Sequence, residues 1–273
     1  MRTGSNAGST NTHTGSSKDG FSRHNSGSGS GHIYIVGIGP GKKEFISDRA
    51  RQCITTSQVV VGYKAYIDLI TDLTADDQRV ISSGMTREVE RCQQVINLAA
   101  AGKTVSLVSS GDPGIYGMAG ILYQMLDKAD ADIGVEVVPG ITAANAAAAS
   151  LGAPLMHDFA CISLSDLLTP WSTIIKRVEM AARGDFVIAL YNPKSKKRVK
   201  QIEEVRQLLL TVVSPDTPVG IVRNAKREGE EVTLSNLKEF THHEIDMFTT
   251  VIIGNSQTYV AGKQMITPRG YRV

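Results

Sequence analysis

The 273-residue sequence has no long hydrophobic run, few cysteines and almost no excess of charge. No apolar stretch approaches the roughly 20 residues that a membrane-spanning helix requires, and the N-terminal residues lack the apolar centre of a signal peptide. With 29 basic and 27 acidic side chains, the net charge of +2 gives no electrostatic reason to expect nucleic acid or a membrane as a partner. We therefore expect a soluble, cytoplasmic protein.

The three cysteines, Cys53, Cys92 and Cys161, are far apart and belong to no CxxC motif or Cys/His cluster. This pattern predicts buried thiols in a reducing compartment, and neither a metal site nor a disulfide framework. Hydrophobic residues make up 41% of the chain and charged residues 21%, as is typical of a globular protein. The length is sufficient for two modest domains or one large one.

Residues 1–31 are about half glycine and serine and contain almost nothing apolar. Such a segment cannot bury enough surface to offset its ordering entropy, so we predict a disordered extension. The composition does not decide between a native extension and an added leader. Its two histidines, His13 and His24, stand far apart, and we do not expect them to act as ligands.

Apolar strand-like runs and helical patterns alternate from residue 32 to residue 158. The strand-like runs are HIYIVG, QVVVGY, TVSLVSS and VEVVPG, and several of them end in glycine. Between them we predict a helix after Ser47, a helix ending before Gly102, a helix over residues 115–126 and an alanine-rich helix after Thr142. This alternation is typical of a parallel sheet covered by helices, which we predict for an N-terminal α/β domain.

Residues 159–273 continue the α/β pattern with more antiparallel character. A helix is predicted from Thr169-Pro170 to about Arg183, and an amphipathic helix contains Val199, Ile202, Val205 and Leu209. Apolar strands are predicted in DFVIALYNP, TPVGIVRNA and FTTVIIGNS. Two α/β domains that join near residues 158–168 predict a cleft between them, where ligands usually bind.

The glycine-rich loop GIGPGK, residues 37–42, fits neither common phosphate-binding motif. Its third glycine comes one residue too early for the dinucleotide fingerprint, and no glycine stands five residues before Gly41 as a Walker A loop requires. Two interpretations stay open. The glycines make a tight turn, or they form a backbone surface for a flat or carboxylate-bearing substrate, with Lys42 and Lys43 nearby.

Two further loops carry an excess of small residues. In SSGDPGIYG, residues 109–117, three glycines allow a ligand to lie against peptide groups, while Asp112 accepts hydrogen bonds either from a ligand or from its own turn. In VVPGITAANAAAAS, residues 137–150, Thr142 is placed to cap the alanine-rich helix. The alanine face permits close approach of a ligand, and close helix packing explains it equally well. Both loops follow predicted strands, where ligands of parallel sheets bind.

These loops, together with ALYNP, VRNA and TTVIIGNS in the second half, resemble the tetrapyrrole methylases in order and spacing. The segments at 151–171 and 189–198 resemble most closely the branch of this family that methylates C17 of corrin precursors. The resemblance covers about residues 32–271. It implies the two-domain class III methyltransferase fold, an active site between the domains, S-adenosylmethionine as cofactor, a tetrapyrrole substrate and a homodimer.

The resemblance also implies which residues contact the cofactor, largely through main-chain groups. By position in the motifs, the cofactor-binding residues are Pro40, Ser110, Gly111, Asp112, Ile115, Thr142, Ala143, Asn192 and Ala225. Pro40 is expected to face the tetrapyrrole. Since methyl transfer is an in-line displacement that depends on alignment, neither a metal nor a covalent nucleophile is expected.

Members of the C17 branch are also expected to contract the macrocycle, which calls for an acid or base near the ring. The candidate catalytic residues are Tyr63, Lys64, His157, Asp158 and Asp166. His157 and Asp158 are equally open to a structural pairing, and Ser163, Ser165 and Asp166 to a turn into the second domain.

Two other groups of residues have a structural and a functional interpretation. The basic residues Lys194, Lys196, Lys197 and Arg198 either begin a solvated helix or attract a polycarboxylate substrate. Met118, Met125 and Met156 are predicted to be core residues.

Other functions remain as alternatives to C17 methylation. They are methylation of a different ring carbon, methylation of a macromolecule, tetrapyrrole carriage without catalysis, and nucleotide-dependent oxidoreduction. The glycine spacing argues against the last of these.

Overall fold

The computed structural model describes residues 31–129 and 131–272 of the chain. The predicted disordered extension, including His13 and His24, lies outside the described residues except for Gly31. The N–H of Gly31 donates a hydrogen bond of 2.9 Å to the carbonyl of Ala99.

Thirteen strands and seven α-helices are formed by the described residues. The strands are β1 His32–Gly37, β2 Val59–Tyr63, β3 Arg79–Ser83, β4 Thr104–Ser109, β5 Gly134–Val138, β6 Gly152–Ala153, β7 Phe159–Ser163, β8 Val187–Tyr191, β9 Pro218–Arg223, β10 Glu231–Asn236, β11 Thr249–Ile253, β12 Tyr259–Ala261 and β13 Gln264–Ile266. The helices are α1 Asp48–Thr56, α2 Lys64–Ile67, α3 Glu88–Ala100, α4 Ala119–Ala129, α5 Ala143–Leu151, α6 Trp171–Arg183 and α7 Gln201–Leu209. Short 3-10 helices cover Lys43–Phe45, Thr71–Leu73 and Phe240–His242.

The first sheet has the strand order β3-β2-β4-β1-β5, and all of its neighbouring strands are parallel. Alternate side chains of β1 face opposite cores: Ile33 and Ile35 pack with α3 and α4, whereas Val36 packs with α1. Because β1 lies between β4 and β5, the loops that follow these three strands are neighbours at one edge of the sheet. This confirms the predicted parallel, helix-covered sheet.

The second sheet has the order β10-β9-β11-β8-β7. Strands β7 and β8 are parallel, and the other neighbouring pairs are antiparallel. The side chains of β8 alternate between two cores: Ile188 and Leu190 pack with α6 and α7, whereas Val187 and Ala189 pack with α5. The predicted mixed α/β character of the second half is confirmed.

The alanine-rich helix α5 packs on the second sheet, although it precedes residue 158. Ala144, Ala147 and Leu151 are buried in one cluster with Val222 and Ile252 of that sheet. Helix packing therefore accounts for most of the alanines, because small side chains let the helix lie close to the strands. A small third sheet, β12-β13-β6, joins the C-terminal strands to the end of α5. The division into domains at residue 158 remains a proposal.

Several predicted helix ends are confirmed and others are wrong. Ser47 caps α1 as predicted, since its side chain accepts from the N–H of Ala50 at 3.2 Å. The helix predicted over residues 115–126 begins only at Ala119, because Tyr116 has a left-handed φ of 53°. Pro170 is the residue before α6 rather than its first residue, and Val199 lies before α7.

The predicted core methionines are only partly confirmed. Met118 is buried and Met125 packs beside the same core, but Met156 is 45% exposed and is not a core residue. Among the residues that the structure describes, no helix is both long enough and apolar enough to cross a membrane.

Candidate functional site

The loops after β1, β4 and β5 bind one another directly. The N–H of Gly39 donates to the carbonyl of Gly111 at 3.1 Å, and the N–H of Gly111 donates back to Gly39 at 2.8 Å. A Cβ atom on Gly140, in the loop after β5, would lie 2.2 Å from the carbonyl oxygen of Gly111. Part of the glycine excess is thus required because these loops pack backbone against backbone.

Asp112 holds two of these loops together. Its Oδ1 accepts from the N–H of Gly114 at 2.8 Å, within its own turn, and its Oδ2 accepts from the N–H of Gly140 at 3.1 Å. Of the two interpretations of Asp112, the structure supports bonding to main-chain amides, and it extends that bonding to the neighbouring loop. The carboxylate therefore shapes the edge of the sheet.

The start of α5 is fixed from the second sheet by Tyr191, the last residue of β8. The phenolic oxygen lies 2.5 Å from Thr142 Oγ1 and accepts from the N–H of Ala144 at 2.8 Å. Burial raises the pKa of the Tyr191 phenol. Thr142 stands at the predicted N-cap position, but its side chain makes no cap hydrogen bond. That part of the prediction is wrong, because the Tyr191 hydroxyl takes the place of the cap.

Tyr116 makes a second link between the two sheets. Its hydroxyl donates to the carbonyl of Cys161 at 3.0 Å and accepts from the N–H of Ser163 at 3.1 Å, both in β7. Its ring centroid lies 5.4 Å from that of Tyr191. Burial raises the pKa of the Tyr116 phenol. Cys161, predicted to be buried, is only half-buried at this point, whereas Cys53 and Cys92 are buried.

Asn192 follows β8 with a left-handed φ of 49°. Its Nδ2 donates to Ser163 Oγ at 3.0 Å, and its carbonyl accepts from Arg198 Nη2 at 2.8 Å. Arg198 is only 9% exposed and lies outside α7, so the interpretation of this residue as part of a solvated helix start is wrong. Arg198 instead fixes the turn that carries Asn192.

A third link comes from Arg227, which the sequence analysis did not single out. Its Nε donates to the carbonyl of Pro40, and its Nη2 donates to Ser110 Oγ at 2.7 Å. The side chain is half-buried, and burial lowers the pKa of its guanidinium. We call the region where these three links meet the junction, defined by Pro40, Ser110, Thr142, Ser163, Tyr191 and Arg227.

Most residues predicted to bind the cofactor lie at or beside the junction. Ser110 contacts Arg227, Thr142 contacts Tyr191, Asn192 contacts Ser163, and Ala225 packs against the cluster that contains α5. Pro40 is buried and bonded to Arg227 through its carbonyl, while the side chain of Ile115 is 38% exposed. Gly111 and Asp112 bind the loops that flank the junction.

The main chain at the junction has donors available for a ligand. Ala143 and Ala225 are half-buried, and within the described residues their N–H groups donate no hydrogen bond. A Cβ on Gly111 would lie in ordinary van der Waals contact with the start of α5, 3.8 Å from Thr142 Cα and 3.9 Å from the nitrogen of Ala143, so the bare backbone of this loop lies beside that amide. Half-buried amides next to bare backbone suit a ligand held through main-chain contacts, as the family resemblance implies for the cofactor.

The candidate catalytic residues are not brought together. Tyr63 ends β2 at the same edge of the first sheet, with its ring edge-on to Tyr66 at 5.1 Å. Asp166 lies in the loop after β7 and accepts from Gln201 Nε2 at 3.0 Å. Lys64 is exposed and pairs with Asp68 at 3.0 Å.

His157 and Asp158 precede β7, whereas the junction contains Ser163 at the other end of that strand. Five residues of strand separate the two ends by about 16 Å. The two side chains are exposed, and His157 Nδ1 accepts from the N–H of Asp158 at 2.9 Å. Their placement does not support the prediction that they are catalytic, and it favours the structural pairing.

Two surface cavities lie away from the junction. One, of about 540 Å³, borders α4 and β5, and the other, of about 820 Å³, borders α3 and β3. Neither is lined by a predicted site residue. Across residues 31–129 and 131–272, no group of three His, Cys, Asp or Glu side chains could hold a metal ion.

The model of one protein family, described as tetrapyrrole (corrin/porphyrin) methylases, matches residues 32–241. The chain is 52% identical over 246 residues to the cobalt-factor III methyltransferase of Priestia megaterium, covering 89% of this chain but only 45% of that protein. It is 49% identical over 239 residues to a probable cobalt-factor III C(17)-methyltransferase of Salmonella typhimurium, covering 88% of this chain and 99% of that protein. A precorrin-3B C(17)-methyltransferase of a Sinorhizobium species is 39% identical over 249 residues, covering 88% of this chain and 97% of that protein.

Solved structures of related methyltransferases are also similar to this protein. The crystal structure of the methyltransferase CobJ superposes with a TM-score of 0.84 at 34% identity, over 88% of this chain and all of that one. A uroporphyrin-III C-methyltransferase from Thermus thermophilus, complexed with S-adenosylhomocysteine, gives a TM-score of 0.66 at 24% identity, over 82% of this chain and 97% of that one. The similarity to the Thermus thermophilus enzyme concerns the fold alone.

Proposed function

The chain belongs to the tetrapyrrole (corrin/porphyrin) methylases, and on that premise we propose that it methylates C17 of a corrin precursor with contraction of the macrocycle. The proposed methyl donor is S-adenosylmethionine, and the pathway is cobalamin biosynthesis. The observation that carries the proposal is the junction, where three loops of a parallel sheet meet the strand ends of a second sheet and half-buried main-chain donors remain available.

The relatives at 49–52% identity are named for cobalt-factor III, whereas the one named for precorrin-3B is 39% identical. This difference favours the cobalt-bearing form of the substrate. The cobalt in that case belongs to the substrate.

S-adenosylmethionine supplies, when bound, an electrophilic methyl group on a positively charged sulfur. The bond between sulfur and the methyl carbon breaks as the bond to C17 forms, and the electron pair stays on sulfur, which leaves neutral S-adenosylhomocysteine. We propose that the N–H groups of Ala143 and Ala225, with Ser110 and Asn192, hold the donor. Such positioning supplies much of the rate enhancement in a displacement between two bound reactants.

For ring contraction we propose Tyr63 and Asp166 as candidates to move a proton. Tyr63 is the last residue of β2 in the first sheet, and Asp166 lies three residues after β7 of the second. Substituting each separately tests this assignment: Tyr63→Phe or Asp166→Asn should allow methylation while slowing contraction. Mass and absorbance spectra of the product distinguish the two steps.

The function is tested by incubating the protein with S-adenosylmethionine and either cobalt-factor III or precorrin-3B, followed by mass spectrometry. We expect one added methyl group on the cobalt-bearing substrate. Calorimetry should also detect binding of S-adenosylhomocysteine and none of NADPH. Binding of NADPH alone, with no methyl transfer to either substrate, would contradict the proposal.

We further propose that the protein acts in the cytoplasm as a homodimer, as the family resemblance implies. Light scattering coupled to size-exclusion chromatography measures the mass directly. A mass near 29.3 kDa, that of one chain, would contradict the dimer.

A further inference from the structure

Arg227 differs from the arginines that serve as surface ion pairs in this protein. Arg49 pairs with Glu136, Arg206 pairs with Glu203, and Arg223 lies within 4 Å of three carboxylates. Within the described residues, no carboxylate lies within 4 Å of Arg227, although it is half-buried at the junction. Even a half-buried guanidinium loses part of its hydration, and at Arg227 no opposite charge within the described residues compensates that loss.

The hydrogen bonds of Arg227 use only part of its donor capacity. A guanidinium has five N–H groups. Nε donates to the carbonyl of Pro40 and Nη2 to Ser110 Oγ, while Nη1 makes no hydrogen bond within the described residues. Nη1 is not sealed from solvent, in contrast to Nε of Arg198. The remaining N–H groups are therefore accessible to a ligand at the junction.

The loop that carries Arg227 is shaped to present it. Asn224 and Lys226 both have left-handed φ angles, of 50° and 57°, which are uncommon for residues other than glycine. Glu230 accepts from the N–H of Lys226 at 2.9 Å and from Ser150 Oγ in α5, and so fastens the loop to that helix. Backbone strain of this kind persists only where the surrounding structure enforces it.

We propose that Arg227 binds a carboxylate of a ligand held at the junction. The planar guanidinium matches the two oxygens of a carboxylate, and Pro40 and Ser110 fix its orientation from the first sheet. This inference rests on the proposed function, which supplies two sources of a carboxylate: the amino-acid part of the methyl donor and the acidic side chains of the tetrapyrrole.

The test uses three variants and three probes. Arg227→Gln removes the charge, and Arg227→Lys keeps it without the planar fork. Arg79→Gln, at an exposed arginine that begins β3, is the matched control. The probes are S-adenosylhomocysteine, 5′-methylthioadenosine, which lacks the amino-acid carboxylate, and uroporphyrin I, a tetrapyrrole with eight carboxylates. Calorimetry measures the two nucleosides, fluorescence quenching measures the porphyrin, and thermal unfolding checks that each variant is folded.

Arg227→Gln should raise the Kd of one carboxylate-bearing probe by about tenfold or more, the usual effect of losing a charge-assisted hydrogen bond. If the affinity for S-adenosylhomocysteine falls while that for 5′-methylthioadenosine is unchanged, Arg227 binds the carboxylate of the methyl donor. If only the affinity for uroporphyrin I falls, Arg227 binds a carboxylate of the tetrapyrrole. In either case the affinities of Arg79→Gln should stay within twofold of the wild type, and those of Arg227→Lys should fall between the wild type and Arg227→Gln. Should Arg227→Gln not fold, Arg227→Lys provides the same comparison.

Affinities within twofold of wild type for all probes, in a folded variant, would overturn the assignment and leave Arg227 as a structural link. An equal loss for 5′-methylthioadenosine and S-adenosylhomocysteine would also overturn it, because the change would then concern the shape of the site. A wild-type protein that binds neither S-adenosylhomocysteine nor the porphyrin would contradict the proposed function itself, so the two failures are distinguishable.

Discussion

The hydroxyl of Tyr191, the last residue of β8 in the second sheet, lies 2.5 Å from Oγ1 of Thr142, the residue before α5. The same oxygen accepts from the N–H of Ala144 at 2.8 Å. One phenol thus holds the end of β8 against the start of α5, next to Ala143 and Asn192, which are predicted to bind the cofactor.

Tyr191→Phe should lower both stability and cofactor affinity. Removing the hydroxyl leaves the N–H of Ala144 and the Thr142 hydroxyl without this partner, which costs about 1 kcal/mol of unfolding free energy or somewhat more. Urea unfolding measures the stability, and titration with S-adenosylhomocysteine should show a several-fold weaker Kd. Tyr259→Phe, at a position that is 49% exposed, is the control and should change neither quantity. Full affinity in Tyr191→Phe would mean that the start of α5 does not shape the cofactor site.

Asp112→Asn should loosen the loops at the edge of the first sheet. The carboxylate accepts from Gly114 and Gly140, and an amide of the same shape can accept only one of these bonds. We expect a loss of about 1–3 kcal/mol, the range for hydrogen bonds to charged groups. Differential scanning calorimetry measures this loss. Asp127→Asn, on the exposed face of α4, should leave the unfolding temperature unchanged, and an equal effect of both variants would exclude a special role for Asp112.

Gly140→Ala should lower the free energy of unfolding, because the added methyl group would collide with the backbone of a neighbouring loop. The added Cβ would lie 2.2 Å from the carbonyl oxygen of Gly111, and backbone cannot move aside without breaking the contact between loops. Gly120→Ala is the matched control, since a Cβ there meets nothing within 4 Å and lies in α4. In a helix that change should stabilise by up to about 1 kcal/mol. The measurement is urea unfolding of both variants, and equal stability would be contrary to this packing argument.

Acid should remove a contribution that Glu203 makes to stability. The hydrogen bond from Arg206 is the main cause that lowers the pKa of Glu203 from 4.5 to about 2, with further bonds from Thr241 and Gln207. Because the folded-state pKa is depressed, the stabilisation is fully present above about pH 4.5 and is lost as the pH falls toward 2. Glu203→Gln should therefore be less stable than wild type at pH 6, with the difference shrinking as the pH falls.

The control for this pH dependence is Glu44→Gln, at an exposed residue that makes no ion pair within the described residues. Its stability should stay parallel to that of wild type between pH 6 and pH 2. A difference between wild type and Glu203→Gln that is constant with pH would show that the carboxylate charge does not contribute.

Four of the five strands of the first sheet, β1, β2, β4 and β5, were predictable because each is a short apolar run between turn residues. The edge strand β3 was missed, because most of its residues are exposed and it has no such apolar run. The loops at 37–42, 109–117 and 139–142 were also predictable, since glycine and proline signal turns wherever they occur. The role of Asp112 became clear only in three dimensions, because one of its two partners, Gly140, is 28 residues away.

Arg227 could not be identified from its neighbours in the sequence. It lies in KREGEE, a stretch whose composition is typical of a solvated loop. Its burial results from contacts with Pro40, 187 residues earlier, and with Ser110, 117 residues earlier. Two left-handed residues, Asn224 and Lys226, turn the loop toward them, and neither is a glycine that would have signalled this conformation. The misjudged exposure of Met156 and Arg198 has the same origin, since local pattern does not report which surface a neighbouring segment covers.

The position of α5 bears on how the protein could be divided. The helix, Ala143–Leu151, precedes residue 158, yet its apolar face packs on strands that are synthesised later. A polypeptide that ends at residue 158 would expose the alanines of α5 together with Leu151. A polypeptide that starts at residue 159 would expose the face of the second sheet on which α5 packs. Splitting the gene at that codon should therefore yield two insoluble products that recover solubility when they are co-expressed.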